Sequence, residues 1–103
     1  MTDPETVAAE VIEATGTCSL EEVCQVCRVE AEWVAALVEH GVISPAGNAR
    51  AEWTFARVSL IRVGKAKRLQ HDLGLNVPGL ALALDLLDEI EALRVRLRAY
   101  GET

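Results

Sequence analysis

The sequence predicts a mainly α fold: a winged helix-turn-helix with a small two-stranded wing, followed by two further helices, the last forming an antiparallel dimer helix. Three observations lead there. Two short amphipathic stretches, 20–27 and 30–40, are separated by only two residues. A loop punctuated by proline and glycine then leads into Trp53, Thr54 and Phe55, which alternate apolar, polar, apolar. Two longer helical stretches meet at Gly74, and the second carries an apolar seam of coiled-coil spacing.

The elements are set by local chemistry. Residues 6–13, TVAAEVIE, fit either a short strand or a helical turn, and the TGT at 15–17 breaks the chain after them. Ser19 followed by Glu22 is a capping box, so a helix begins at Leu20. Its apolar positions Leu20, Val23, Cys24 and Cys27 keep the helical period. Arg28 and Val29 make a tight connection to a second helix, about Glu30 to His40, with Trp33, Val34, Leu37 and Val38 on one face. Gly41 is a fitting stop. The β-branched pair Val42 and Ile43 leads into the loop SPAGNARAE, and with the alternating Trp53–Phe55 it is most simply read as a small wing closing the helix-turn-helix. A third helix spans about Arg57 to Leu73 and ends at Gly74. Asn76 caps the fourth, about Val77 to Ala99, which tolerates Pro78 in its first turn.

That fourth helix is unusual. Between Val77 and Leu87 every residue except Asp85 is apolar, glycine or proline, so its first half is expected to be buried on all sides, between the third helix and the helix-turn-helix. Its second half keeps a seam, Ala83, Leu86, Ile90, Leu93, Leu97 and Tyr100, separated by alternating threes and fours. Asp85, Asp88, Glu89 and Glu91 precede Arg94, Arg96 and Arg98 along it. Acid first and base last suits the helix dipole and also favours an antiparallel homodimer.

Composition sets the class. With 103 residues, half of them hydrophobic, the chain can form one compact domain, divided into an N-terminal segment 1–17, the winged motif 18–56 and a helical pair 57–100. The polar, acidic start MTDPET does not resemble a secretory leader, and the apolar run at 77–87 is too short to span a bilayer. A cytoplasmic protein with no membrane partner is expected. Cys18, Cys24 and Cys27 include a CxxC pair, but His40 and His71 lie at no usual zinc spacing and no second pair exists. The thiols are therefore read as core residues, with no metal or cofactor expected. No nucleophile–base pair or glycine-rich phosphate loop stands out either, so catalysis is not expected. His40 reads as a dipole partner where the second helix ends, and His71 as a surface residue.

The net charge of −6 is unevenly spread. Residues 1–56 set ten acids against Arg28 and Arg50, whereas the third helix gathers Arg57, Arg62, Lys65, Lys67 and Arg68 against Asp72. In a groove-reading helix-turn-helix the second helix supplies cations to bases and phosphates. Here that helix, EAEWVAALVEH, has Glu30, Glu32 and Glu39 and no lysine or arginine. Nucleic acid is thus disfavoured as a partner. The basic third helix is the best feature for the opposing reading, a DNA-binding regulator. Otherwise its cations pair with the acidic motif or with Asp85 and Asp88 and remain solvated.

The segments SLEEVCQVC, VEAEWVAALVEHGVISP, EWTF, KRLQHDLGLNVPG and LALALDLLDEIEAL, in this order over residues 18–97, resemble the CbpM chaperone modulators, a branch of the MerR-type regulators. The resemblance implies an adaptor without cofactor or chemistry. Such a protein binds the J-domain of a CbpA- or DnaJ-type co-chaperone, blocks its stimulation of the DnaK ATPase and can suppress its association with DNA. J-domains present a basic helix, which an acidic dimer is suited to contest. Two acidic sets are candidates: Asp85, Asp88, Glu89 and Glu91, ranked first because they lie in the more strongly matching stretch, and Glu30, Glu32 and Glu39.

Overall fold

A computed structural model describes residues 16–101, so the ambiguous stretch at 6–13 lies outside the described residues. The elements run β1 (Cys18–Ser19), α1 (Leu20–Cys27), α2 (Ala31–Glu39), a 3-10 turn (Arg50–Glu52), β2 (Thr54–Phe55), α3 (Arg57–Leu73) and α4 (Val77–Ala99). This is the predicted mainly α, winged helix-turn-helix order.

Ser19 starts α1 with a reciprocal cap. Its hydroxyl accepts from the Glu22 amide at 3.1 Å, and its own amide donates to the Glu22 carboxylate at 2.9 Å. Such a cap contributes about 1 kcal/mol. The turn between α1 and α2 is made by Arg28 in the left-handed region, φ 57°, and the Val29 amide closes back on the Cys24 carbonyl. At the end of α3, Gly74 takes φ 68° and its amide returns to the Gln70 carbonyl at 2.8 Å. Two residues later Asn76 Oδ1 accepts from the Gly79 amide and opens α4.

The sheet differs from the sequence reading in one respect. β2 pairs antiparallel with β1, Cys18 opposite Phe55 and Ser19 opposite Thr54. Val42 and Ile43, β-branched as they are, form no strand. The Val42 amide bonds the Leu37 carbonyl just past α2, and both side chains are buried. Burial, not pairing, is what their apolar bulk serves. The isolated bridge Ala46–Thr54 ties the 44–52 loop to the sheet. Gly47 is required there, because a Cβ would stand 2.7 Å from the Glu52 carbonyl oxygen.

The buried apolar residues form one cluster. Val23 and Cys27 from α1, Val34 and Leu37 from α2, and Phe55 from β2 meet Leu60, Val63 and Ala66 of α3 and Leu80 and Leu84 of α4. The start of α4 packs on both α3 and α2, as expected. Its burial on all sides is not observed. Leu80 and Leu84 are buried, but Leu82, Leu86 and Leu87 are about half exposed or more. One chain of this size supplies neighbours for only one face of the helix, and from Asp85 onward α4 runs past the domain with every residue exposed.

Candidate functional site

Helical geometry divides α4 into two faces. At about 100° per residue, Val77, Leu80, Ala81 and Leu84 point to the core, and Leu86, Ile90, Leu93 and Leu97 point roughly the opposite way. These four seam residues are 45 to 54 % exposed, and Tyr100 is 82 % exposed. Ala83 is partly covered. An apolar stripe of this length thus stays exposed along an otherwise charged half of the helix.

The basic set of α3 separates into two groups. Arg62 turns inward: Nε donates to the Val42 carbonyl at 2.7 Å, and its guanidinium reaches Asp88 at 2.6 Å and Asp85 at 3.9 Å. Lys67 donates to the carbonyls of Cys27 at 2.8 Å and Arg28 at 3.3 Å, placing its charge at the C-terminal end of α1. Arg57, Lys65 and Arg68 are exposed, beside the exposed apolar Val58 and Ile61. The five cations therefore do not form one patch.

The candidate acids separate as well. Asp85 and Asp88 face Arg62, and Glu91 lies 3.7 Å from Arg98. Glu89 flanks the seam of α4. On α2, Val34 and Leu37 are buried, which sends Glu32 and Glu39 to the outward side, and both are exposed along with Glu30. Glu32 is bound to Arg50 of the wing loop at 2.7 Å. That hydrogen bond, then the arginine's charge, holds the Glu32 carboxyl below its ordinary value. Arg50 also stands 6.0 Å from the centre of the Trp53 ring. The wing loop's one cation is thus committed to a carboxylate of the helix that a DNA reader would insert.

Cys18 and Cys27 are buried in the core and Cys24 is partly buried. Burial pushes Cys18, Cys24 and Cys27 above the ordinary thiol value, with nearby carboxylates adding to this for the first two and Lys67 opposing it for Cys27. Among the described residues, no group of three or more His, Cys, Asp or Glu could hold a metal ion. His40 Nδ1 lies 3.0 Å from the Ala36 carbonyl at the end of α2, the position expected of a dipole partner. His71 is exposed and meets the neighbouring Asp72. No described helix is long and apolar enough to cross a membrane.

A cleft that the sequence does not foretell opens at the helix-turn-helix corner. Cys24, Arg28, Val29 and Glu30, with Trp33, Lys67 and Gln70, line an open space of about 520 Å³. The indole nitrogen of Trp33 is buried without a hydrogen-bond partner among the described residues. An unpaired buried donor costs about 1–3 kcal/mol. No local pattern announces this cleft, because its walls lie some forty positions apart in the chain.

Comparison with known proteins gives concordant matches. The family description "MerR HTH family regulatory protein" fits residues 18–100. The Chaperone modulatory protein CbpM of Coxiella burnetii (strain Dugway 5J108-111) is 40% identical over 88 residues, covering 85% of this chain and 83% of the relative. Those of Pseudomonas entomophila (strain L48) and Pseudomonas putida (strain W619) are 39% and 36% identical over 75 residues, covering 73% of this chain and 74% of each relative.

Proposed function

The chain belongs to the MerR helix-turn-helix family and, within it, to the CbpM group, and from that premise we propose that it is a chaperone modulator that binds the J-domain of a CbpA- or DnaJ-type co-chaperone and inhibits it. The observation that carries this reading is the outward face of α2, where Glu32 and Glu39 are exposed, the helix itself has no lysine or arginine, and one cation, Arg50 of the wing loop, meets Glu32. A carboxylate face steers in a basic helix and repels phosphate.

The geometry favours α2, with Glu30, Glu32 and Glu39, as the J-domain surface over α4. On α4, Asp85 and Asp88 share Arg62, Glu91 has Arg98 nearby and Glu89 borders the seam, whereas on α2 Glu32 is paired with Arg50 and Glu30 and Glu39 make no ion pair among the described residues. The α4 acids then serve the fold and self-association, while α2 meets the partner.

A homodimer completes the proposal. The seam spacing three, four, three, four, three reads the same in either direction. Two antiparallel copies would set Ala83 against Tyr100, Leu86 against Leu97 and Ile90 against Leu93. Glu89 and Arg96 occupy the same flank, so each Glu89 would meet Arg96 of the second copy.

Titrating the chain with the J-domain of such a co-chaperone, and separately with random duplex DNA at low salt, tests the reading. Saturable J-domain binding with weak or no duplex binding is expected. Micromolar duplex binding with a steep salt dependence, and no J-domain binding, would instead favour a DNA-binding regulator working through Arg57, Lys65 and Arg68.

A further inference from the structure

The cleft at the helix-turn-helix corner has the chemistry of a peptide site. Three separate elements build it. The end of α1 and the left-handed turn supply Arg28 and Val29, the start of α2 supplies Glu30 and Trp33, and α3 supplies Lys67 and Gln70. Val29 and the half-buried indole form an apolar wall. The polar groups around it are of every kind that an extended peptide requires.

Arg28 makes no ion pair among the described residues, although it lines the cleft with a full guanidinium. Lys67 spends two hydrogen bonds on the Cys27 and Arg28 carbonyls, and an ammonium has three to give. These two cations favour a carboxylate. Trp33, which lines the cleft, carries in its indole Nε1 a buried donor with no hydrogen-bond partner among the described residues. Glu30, exposed at the cleft, can accept a peptide N–H, and Gln70 can both donate and accept. A free inorganic anion would satisfy the cations but leave no use for the apolar wall.

We propose that this cleft binds an acidic peptide segment of a partner protein, with an apolar side chain on Val29 and Trp33 and the neighbouring carboxylate on Arg28 and Lys67. The cleft adjoins the acidic face of α2 and shares Glu30 with it, so a partner can be gripped by both charge signs at once. A partner that presents only cations would leave the cleft empty.

The indole resonances supply a direct test, because the chain has only Trp33 and Trp53. The full chain, labelled with nitrogen-15, is titrated with the acetylated and amidated tetrapeptide Gly-Leu-Asp-Gly, and with its Asn counterpart in place of Asp. The expected result is a saturable downfield movement of the Trp33 indole N–H signal with that of Trp53 unmoved. The neutral peptide, and the Arg28→Asn variant, should each bind about tenfold more weakly. Asparagine tolerates the left-handed backbone at that position, so the variant should fold; the neutral peptide makes the same test on the unaltered chain. An unmoved Trp33 signal at millimolar peptide, or equal movement by both peptides, would overturn the assignment. Since no J-domain enters the experiment, either result leaves the J-domain titration to be judged separately.

Discussion

Arg62 joins three parts of the fold at once: its guanidinium meets Asp88 of α4 at 2.6 Å, and its Nε meets the carbonyl of buried Val42 at 2.7 Å. The two contacts differ in worth. Asp88 is 60 % exposed at its side chain, and solvent discounts the ion pair to at most about 1 kcal/mol. The bond to the Val42 carbonyl is charge-assisted and only partly buried, and removing it leaves that acceptor without its partner. Arg62→Ala should therefore destabilise the chain by about 1.5–3 kcal/mol, and Asp88→Ala by less than about 1. Urea unfolding of both variants checks the order. Equal losses would mean that the ion pair, not the carbonyl contact, is the stabilising element.

The thiols make stability depend on alkaline pH. Burial raises the folded-state values of Cys18, Cys24 and Cys27 above the ordinary 9.0, so the folded chain holds these protons more tightly than the unfolded one. Their contribution is complete below the unfolded value and is lost as pH rises through the thiol range. The urea midpoint should fall from pH 8 to pH 10. The fall should be shallower in Cys24→Ala, where one of the three groups is absent. An identical slope in that variant would mean that Cys24 does not contribute to the loss.

Self-association should depend on the seam. Ile90 is 46 % exposed in the single chain, and covering the remaining half of the side chain contributes about 1 kcal/mol in each copy. Ile90→Lys should shift the molecular mass measured by sedimentation from dimer to monomer. Glu89→Arg should weaken the dimer by placing like charges together, and adding Arg96→Glu should recover it. A wild-type chain that sediments as a monomer at high concentration would refute the seam, and failure of the double exchange to recover association would refute the antiparallel register.

Partner binding should respond to α2 rather than α4. Reversing Glu32 and Glu39 together to lysine should weaken the J-domain complex by about tenfold or more at low salt and flatten its salt dependence. Reversing Asp85 alone should leave it within about threefold, since Arg62 already faces that carboxylate. Calorimetric titration at two ionic strengths reads both. The opposite ranking would return the J-domain surface to the fourth helix.

Much of the fold was legible because its signals are local. The Ser19–Glu22 cap, the left-handed Gly74 and the Asn76 cap each act within a few residues, and the start of α1, the end of α3 and the start of α4 fall where those signals put them. β1 was missed because two-residue strands carry no periodicity, and Cys18 and Ser19 read more readily as the lead-in to a capped helix. The candidate site was legible only in its charges. The acids of α2 and α4 look alike in sequence, and nothing local says which of them a neighbour holds.

By itself, then, the sequence determined the helical order, the seam and the cation-free second helix, because helix period and charge are properties of near neighbours. Tertiary structure decided three things: that of the five α3 cations it is Arg62 that takes Asp85 and Asp88, that half of the greasy α4 stays uncovered, and that α1, α2 and α3 enclose a cleft. Each joins residues well separated along the chain, and only packing brings such residues within the few ångströms over which hydrogen bonds and dispersion act.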